Sequence, residues 1–239
     1  MPHTPVPADE LSARLSRLRC AMSRRDPAWS MMLLDNKIDL YYLTGTMQEG
    51  ALVITPDEAV LFVRRSFACA QQESLFPDIR PMGSFRSIAE AFPQIPDTVY
   101  VTVRTMTLQK LTLLQKYLPF APKAADDVLS GLRAVKSEYE LSCMRRAGKL
   151  HQPVIEEVAP VLLRHGISEA RLCSEICTYM LDRGAMGISR FNQPMAEDVL
   201  GIASFSENSL RASALDSPSG NIGTCIAMKS IGSSERCLH

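Results

Sequence analysis

The side chains best suited to catalysis or metal binding are four histidines, seven cysteines and one pair of adjacent aspartates. His3, His151, His165 and His239 include no pair at the i, i+4 spacing of a His-x-x-x-His metal site, and no glutamate is placed to support one. Each is read as an ordinary surface or hydrogen-bonded histidine. Cys173 and Cys177 share a helical face at i, i+4 and in principle could hold a metal. Zinc sites need further ligands at short spacing, and none is present here, so core packing is the preferred reading. Asp126 and Asp127 are expected to cap the helix that follows rather than to act as an acid/base pair. No Gly-x-Ser-x-Gly elbow occurs, and Cys173 lacks a recognised Cys/His signature.

Composition narrows the class of protein. With 239 residues, one or two domains are open. Hydrophobic residues at 46% and charged residues at 22% are ordinary for a soluble globular chain. Lys and Arg total 26 and so do Asp and Glu, which argues against a general nucleic-acid or anionic-membrane role. The start, Met-Pro-His-Thr-Pro-Val-Pro, has neither the basic residues nor the apolar core of a secretory signal. No apolar run approaches the roughly 20 residues that span a bilayer. The cysteines, at 20, 69, 143, 173, 177, 225 and 237, include no CxxC and are expected to be reduced thiols in the cytoplasm.

Periodicity predicts the elements that would have to position a site. Pro7 suits a first helical turn, and Leu11, Leu15, Leu18 and Met22 then form one stripe. Arg14, Arg17, Arg19, Arg24 and Arg25 fall on other faces and are read as solvated rather than as an anion-binding arm. Residues 29–34 fit a buried strand, and a second apolar run, Leu40 to Leu43, resumes before Gly45. Gly50–Ile54 and Ala59–Val63, joined by Thr-Pro-Asp-Glu, predict a β-hairpin. A helix over 66–75, a strand over 79–82, a helix over 84–92, a strand over 98–103 and a helix over 108–118 follow. Alternation of this kind implies an α/β domain with a mixed sheet. No Gly-x-Gly-x-x-Gly or Walker-type loop marks it as a nucleotide binder. Residues 122–131 are read as a linker and domain break.

Beyond it, residues 132–148 run Leu-Arg-Ala-Val-Lys-Ser-Glu-Tyr-Glu-Leu-Ser-Cys-Met-Arg-Arg-Ala-Gly. Ser137 fits an N-cap, Glu138 and Glu140 fall in the first turn, and Leu141, Met144 and Gly148 recur at helical spacing. Pro153 and Pro160 should kink the continuation. Ser168 is expected to cap a helix that buries Leu172, Ile176 and Met180 and stops at Gly184. Short strands are expected at 188–192 and 199–205, before a Ser/Asn/Gly-rich stretch.

As a string, residues 132–148 resemble the start of the catalytic domain in the aminopeptidase P, prolidase and creatinase family, the pita-bread metallopeptidases. Tyr41-Tyr42-Leu43-Thr44-Gly45 is similar to a turn of that family's N-terminal domain, and Gly166-Ile167-Ser168-Glu169 to one of its helix connections. The resemblance covers about residues 10–239. It implies a creatinase-like N-terminal domain with a mixed sheet over residues 1–130 and the first half of a pita-bread α+β domain over 131–239.

The same resemblance implies an activity. Full-length members hold two divalent metal ions, Mn, Co or Zn, on Asp, Asp, His, Glu and Glu, and hydrolyse the bond preceding proline. The segment 232–239, Gly-Ser-Ser-Glu-Arg-Cys-Leu-His, is similar to the family segment that leads into the first metal-binding strand. None of the five ligands maps onto this sequence, so no metal is expected on this chain and it is expected to be inactive alone. A creatinase-like hydrolase, which uses the same fold without metals, would also need C-terminal catalytic residues. A non-catalytic paralogue, acting as a dimerisation or binding module, is the alternative. The family implies a homodimer and a proline-containing peptide substrate. Thr44, Gln48, Phe191, Asn208 and Ser209 are the candidates for facing substrate or partner, and a histidine that many relatives carry near 208–213 is lacking.

Overall fold

The computed structural model describes residues 4–187, 189–190 and 197–198. Its contacts divide the chain into two compact units, Met1–Ser137 and Glu138–His239.

Sequence alternation and turn chemistry build the first unit. Helix α1 (Ala8–Arg25) leads to β1 (Met32–Leu34), α2 (Lys37–Thr44) and the hairpin β2 (Gly50–Ile54) and β3 (Ala59–Val63). Then come α3 (Phe67–Glu73), β4 (Ile79–Pro81), α4 (Arg86–Ala91), β5 (Thr98–Val101), α5 (Leu108–Gln115), β6 (Ala121–Ala124) and α6 (Asp126–Ala134). The strands form one sheet in the order β4-β3-β2-β1-β5-β6. Only β2 runs against its neighbours, pairing antiparallel with β1 and β3, while β3–β4, β1–β5 and β5–β6 are parallel. The mixed α/β sheet expected from the sequence is therefore present.

Both faces of this sheet are covered, which is why β2 and β3 are near-continuous apolar runs. On one face Leu33, Val53, Val60, Phe62, Val99 and Val101 pack with Phe85, Ile88 and Phe92 around α4 and with Leu114 and Leu118 around α5. Side chains alternate along a strand, so Met32, Leu52, Ile54, Leu61 and Tyr100, all buried, point to the other face. Tyr100 is paired with Met32, and its hydroxyl donates to Asp26 Oδ2 (2.6 Å) at the end of α1. That bond fixes α1 on the second face, with α2 and α6 beside it. The hairpin loop closes as its residue types dictate: Thr55 Oγ1 accepts from Glu58 N at 3.0 Å. Gly50 is required by proximity, because a Cβ there would lie 2.1 Å from the Phe62 carbonyl oxygen.

Three expectations are corrected. The run Leu40 to Leu43 is helical: Asn36 caps α2 by accepting from Ile38 N (2.8 Å), and Gly45 at φ 79° ends it. The stretch 122–131 is no linker. Pro122 pairs with Val99 in β6, and α6 follows at once. Arg14, Arg17 and Arg19 of α1 are not simply solvated, because they donate to the Tyr42 carbonyl, the Tyr42 hydroxyl and the Thr55 carbonyl on neighbouring elements, whereas Arg24 and Arg25 are exposed. Arg14 is 3% exposed and takes the interior place between Leu11 and Leu18, while Leu15 lies at the margin.

Each outer strand carries a proline. Met82 N reaches Val63 O in β3, and Ala121 N and Ala125 N reach Asp97 O and Val101 O of the β5 segment. Main-chain groups alternate in direction, so Pro81 and Pro122 fall at outward-facing positions, beside Arg80 and Lys123.

In the second unit, α7 (Glu138–Pro153) passes into a π-helical turn, Val154–Val158, and then α8 (Ala159–Leu162). Between Pro153 and Pro160, where a kink is expected, the helix widens into this π-helical turn, which accommodates the missing donors and the rings. Ser168 Oγ accepts from Arg171 N (3.2 Å) and caps α9 (Glu169–Leu181), and Gly184 at φ 91° follows its end. Strands β7 (Ser189–Arg190) and β8 (Glu197–Asp198) pair antiparallel. The remaining strand expectation, 199–205, lies outside the described residues.

Candidate functional site

The turn that leaves α2 gathers a polar cluster. Thr44 is fully buried, and its hydroxyl donates to Leu40 O at 2.7 Å. Its carbonyl accepts from Ser74 Oγ, whose oxygen in turn accepts from Phe76 N (2.9 Å). Thr46 Oγ1 donates to Glu73 Oε2 (2.7 Å), and Gln48 Nε2 lies 3.0 and 3.2 Å from the two oxygens of the same carboxylate. Glu73, the last residue of α3, therefore staples residues 45–49 to that helix. Exposed Tyr41, Met47 and Leu75 are close to these residues along the chain.

Of the five candidate residues, the structure brings Thr44 and Gln48 into this one cluster, Thr44 inside and Gln48 half-buried. Phe191, Asn208 and Ser209 lie outside the described residues. Sequence reasoning missed Thr46, Glu73 and Ser74. Only Thr46 carried a signal, as a second hydroxyl two residues beyond Thr44; Glu73 and Ser74 are brought in from 27 and 30 residues away. Within the cluster the Glu73 carboxylate is engaged by Thr46 and Gln48, and the described contacts place no nucleophile beside a base.

Behind the turn, α1 and α2 are locked by charge. Arg14 Nε donates to Glu10 Oε1 (2.6 Å), Arg14 Nη1 donates to Tyr42 O (2.7 Å), and its guanidinium lies 4.5 Å from the Tyr42 ring centre. Buried charge is tolerated here because both the carboxylate and the carbonyl are satisfied by one planar fork. Arg19 Nε donates to Thr55 O (3.0 Å), tying α1 to the end of β2. Asp126 accepts from the Val103 and Arg104 amides, both at 3.0 Å, and Asp127 pairs with Arg25. The adjacent aspartates do not cap α6 as expected: Ala125 holds the N-cap position with no side-chain cap bond, and the two carboxylates stand in the first turn and join α6 to neighbouring elements. Asp26 is held down to about 2, first by the Tyr100 hydroxyl and then by Lys123. Asp39 behaves oppositely, and burial pushes it up to about 6.

Among the described residues, no three His, Cys, Asp or Glu side chains converge on a possible metal position. His151 and His165 are exposed on separate elements. The donors among the described residues do not fit the divalent ions that the resemblance implies. Among the described residues, no helix is long and apolar enough to cross a membrane.

Comparison with known proteins agrees with the sheet topology. An Xaa-Pro dipeptidase from Bacillus anthracis superposes with a TM-score of 0.66 at 18% identity, over 75% of this chain and 51% of that one. A dipeptidase from Mycobacterium ulcerans gives 0.64 at 23% identity, over 78% and 53%. The prolidase from Pyrococcus furiosus gives 0.63 at 20%, over 73% and 54%. The chain thus spans about half the length of these structures, and at such identities the likeness establishes the fold. No curated protein sequence matches it significantly. Residues 14–135 match the family described as the creatinase/prolidase N-terminal domain. That match takes in just over half of the 239 residues, and the chain belongs to the creatinase/prolidase family through this domain.

Proposed function

We propose that this chain serves as the assembly and substrate-framing part of an Xaa-Pro-directed peptidase, and that it does not hydrolyse peptides by itself. One observation carries the reading: the residues matched to the family, 14–135, form a six-stranded sheet with a covered core, while the chain spans about half the length of its peptidase-named structural relatives. The structural relatives are named as Xaa-Pro dipeptidases and prolidases, which supports proline-containing peptides as the substrate class; two divalent ions, Mn, Co or Zn, are the cofactors that the family resemblance implies for the full-length enzyme. The loop 45–49, pinned by Glu73 and flanked by exposed Tyr41, Met47 and Leu75, supplies the partner-facing surface of a cytoplasmic homodimer.

A second reading, a non-catalytic paralogue acting as a dimerisation or binding module, draws on that same loop, because its polar groups bind but do not react. The deciding assay incubates the purified 239-residue chain with Xaa-Pro dipeptides and Xaa-Pro-Xaa tripeptides, with Mn, Co or Zn added in turn. No release of the residue before proline is expected with any ion. Metal-dependent cleavage at that bond overturns the proposal.

A further inference from the structure

The segment around α3 grips the loop 45–49 from both sides and carries backbone strain of its own. Among the described residues, Ser66 is the one non-glycine with a positive φ, at φ 59° and ψ 42°. It occupies the N-cap position of α3, yet its side chain makes no cap bond that would offset the left-handed geometry. The helix that follows is lightly seated, because of its seven residues only Ala70 is buried.

The ties of this segment are polar instead, and they run to one place. Glu73 accepts from Thr46 Oγ1 (2.7 Å) and lies 3.0 and 3.2 Å from Gln48 Nε2, and the next residue, Ser74, donates to Thr44 O. On the other side of Ser66, Arg64 and Arg65 pair with Glu49 at 3.2 and 3.6 Å. Thr46 and Gln48 both turn to the Glu73 carboxylate, and Met47 between them is left exposed. Hydrogen bonds to an ionised carboxylate are about twice as strong as neutral ones. The bonds from α3 to the loop therefore outweigh the hold that one buried alanine gives α3 on the core.

We infer that α3 and residues 45–48 open and close as one cooperative element, with Glu73 as the tie between them and Ser66 setting the balance. Opening lets Ser66 leave the left-handed region, so its strain favours the open form. Glu73 keeps its two donors as the helix moves, so the loop follows. The order of the loop thus depends on a residue beyond the β2–β3 hairpin, and this holds whatever the loop meets.

Amide hydrogen exchange of the full chain, read by NMR, tests it. Ser66→Gly removes the steric cost of the left-handed conformation and should slow exchange about threefold at Ala70 to Ser74. The same slowing should appear at Thr46 and Gln48, whose amides bond to the Thr44 and Thr46 hydroxyls, with the amides of α5 unchanged. In a Glu73→Ala background the slowing should persist in α3 and vanish at Thr46 and Gln48, the signature of coupling carried by that carboxylate. Should Glu73→Ala not fold, the native chain in low denaturant decides: Thr46 and Gln48 should join the α3 amides on one exchange isotherm. A Ser66→Gly effect absent from α3, confined to it, or shared by α5 would overturn the inference. So would transmission that survives Glu73→Ala, or separate isotherms in the native chain.

Discussion

The two units bury their apolar residues to very different degrees. In the first, every central strand is enclosed and Leu33, Leu52, Ile54, Val60, Leu61 and Phe62 are almost wholly inaccessible. In the second, α7 has no buried residue over its whole length, and Met144, Ile155, Val161, Leu163, Leu181 and Met186 are exposed. Its described core is small, consisting of Val154, Ile167, Leu172 and Cys173, with Glu169. A sheet with helices on both sides closes its own core, whereas amphipathic helices close one only when a further layer is supplied. The first unit is therefore the part whose stability its own residues explain.

Substitutions can break or sharpen this contrast. The largest effect is expected in the first unit, where Phe62 packs edge-on against Phe92 with ring centres 6.3 Å apart. Phe62→Ala should cost about 3–5 kcal/mol in chemical denaturation. Met186→Ser in the second unit, at a side chain 89% exposed, should stay within about 0.5 kcal/mol. Comparable losses at both positions would remove the contrast. Next comes Arg14→Met, which keeps volume but leaves the Tyr42 carbonyl without its Arg14 donor and the Glu10 carboxylate with the Ser137 hydroxyl in place of a cation. It should destabilise by about 3 kcal/mol, a loss that an exposed arginine such as Arg146 should not reproduce. The smallest is Ser168→Ala, which removes the cap of α9 and should lower helicity with a cost of about 1 kcal/mol. An effect as large as that of Phe62→Ala would mean that the second unit folds as cooperatively as the first.

Legibility from sequence followed the range of the interactions. The hairpin, the caps of α9 and the proline-induced kink were predictable because their causes lie within a few residues. Strand β6 was not, since Ala121, Pro122, Lys123 and Ala124 have little strand propensity and are placed by pairing with β5, more than 20 residues earlier. Helix α2 lacked a periodic signal because Asp39, Leu40, Tyr42, Leu43 and Thr44 are all buried, leaving no polar face to mark the turn. In the candidate site Thr44 is a candidate through a family-like turn and Gln48 through the residues that follow it, while Glu73, which bonds to the loop, is visible only once α3 is folded back. The interior position of Arg14 likewise depends on a carbonyl 28 residues away.

The prolines on the two outer strands have a consequence for how this molecule meets others. At the outward positions of Pro81 and Pro122 there is no N–H to offer, and Arg80 and Lys123 put charge alongside. A foreign strand laid against either border would find its ladder interrupted, so the sheet resists templated growth and fibre-like stacking between copies. Recruitment of any companion is thereby directed to helices and loops, with the backbone ribbon itself closed to newcomers.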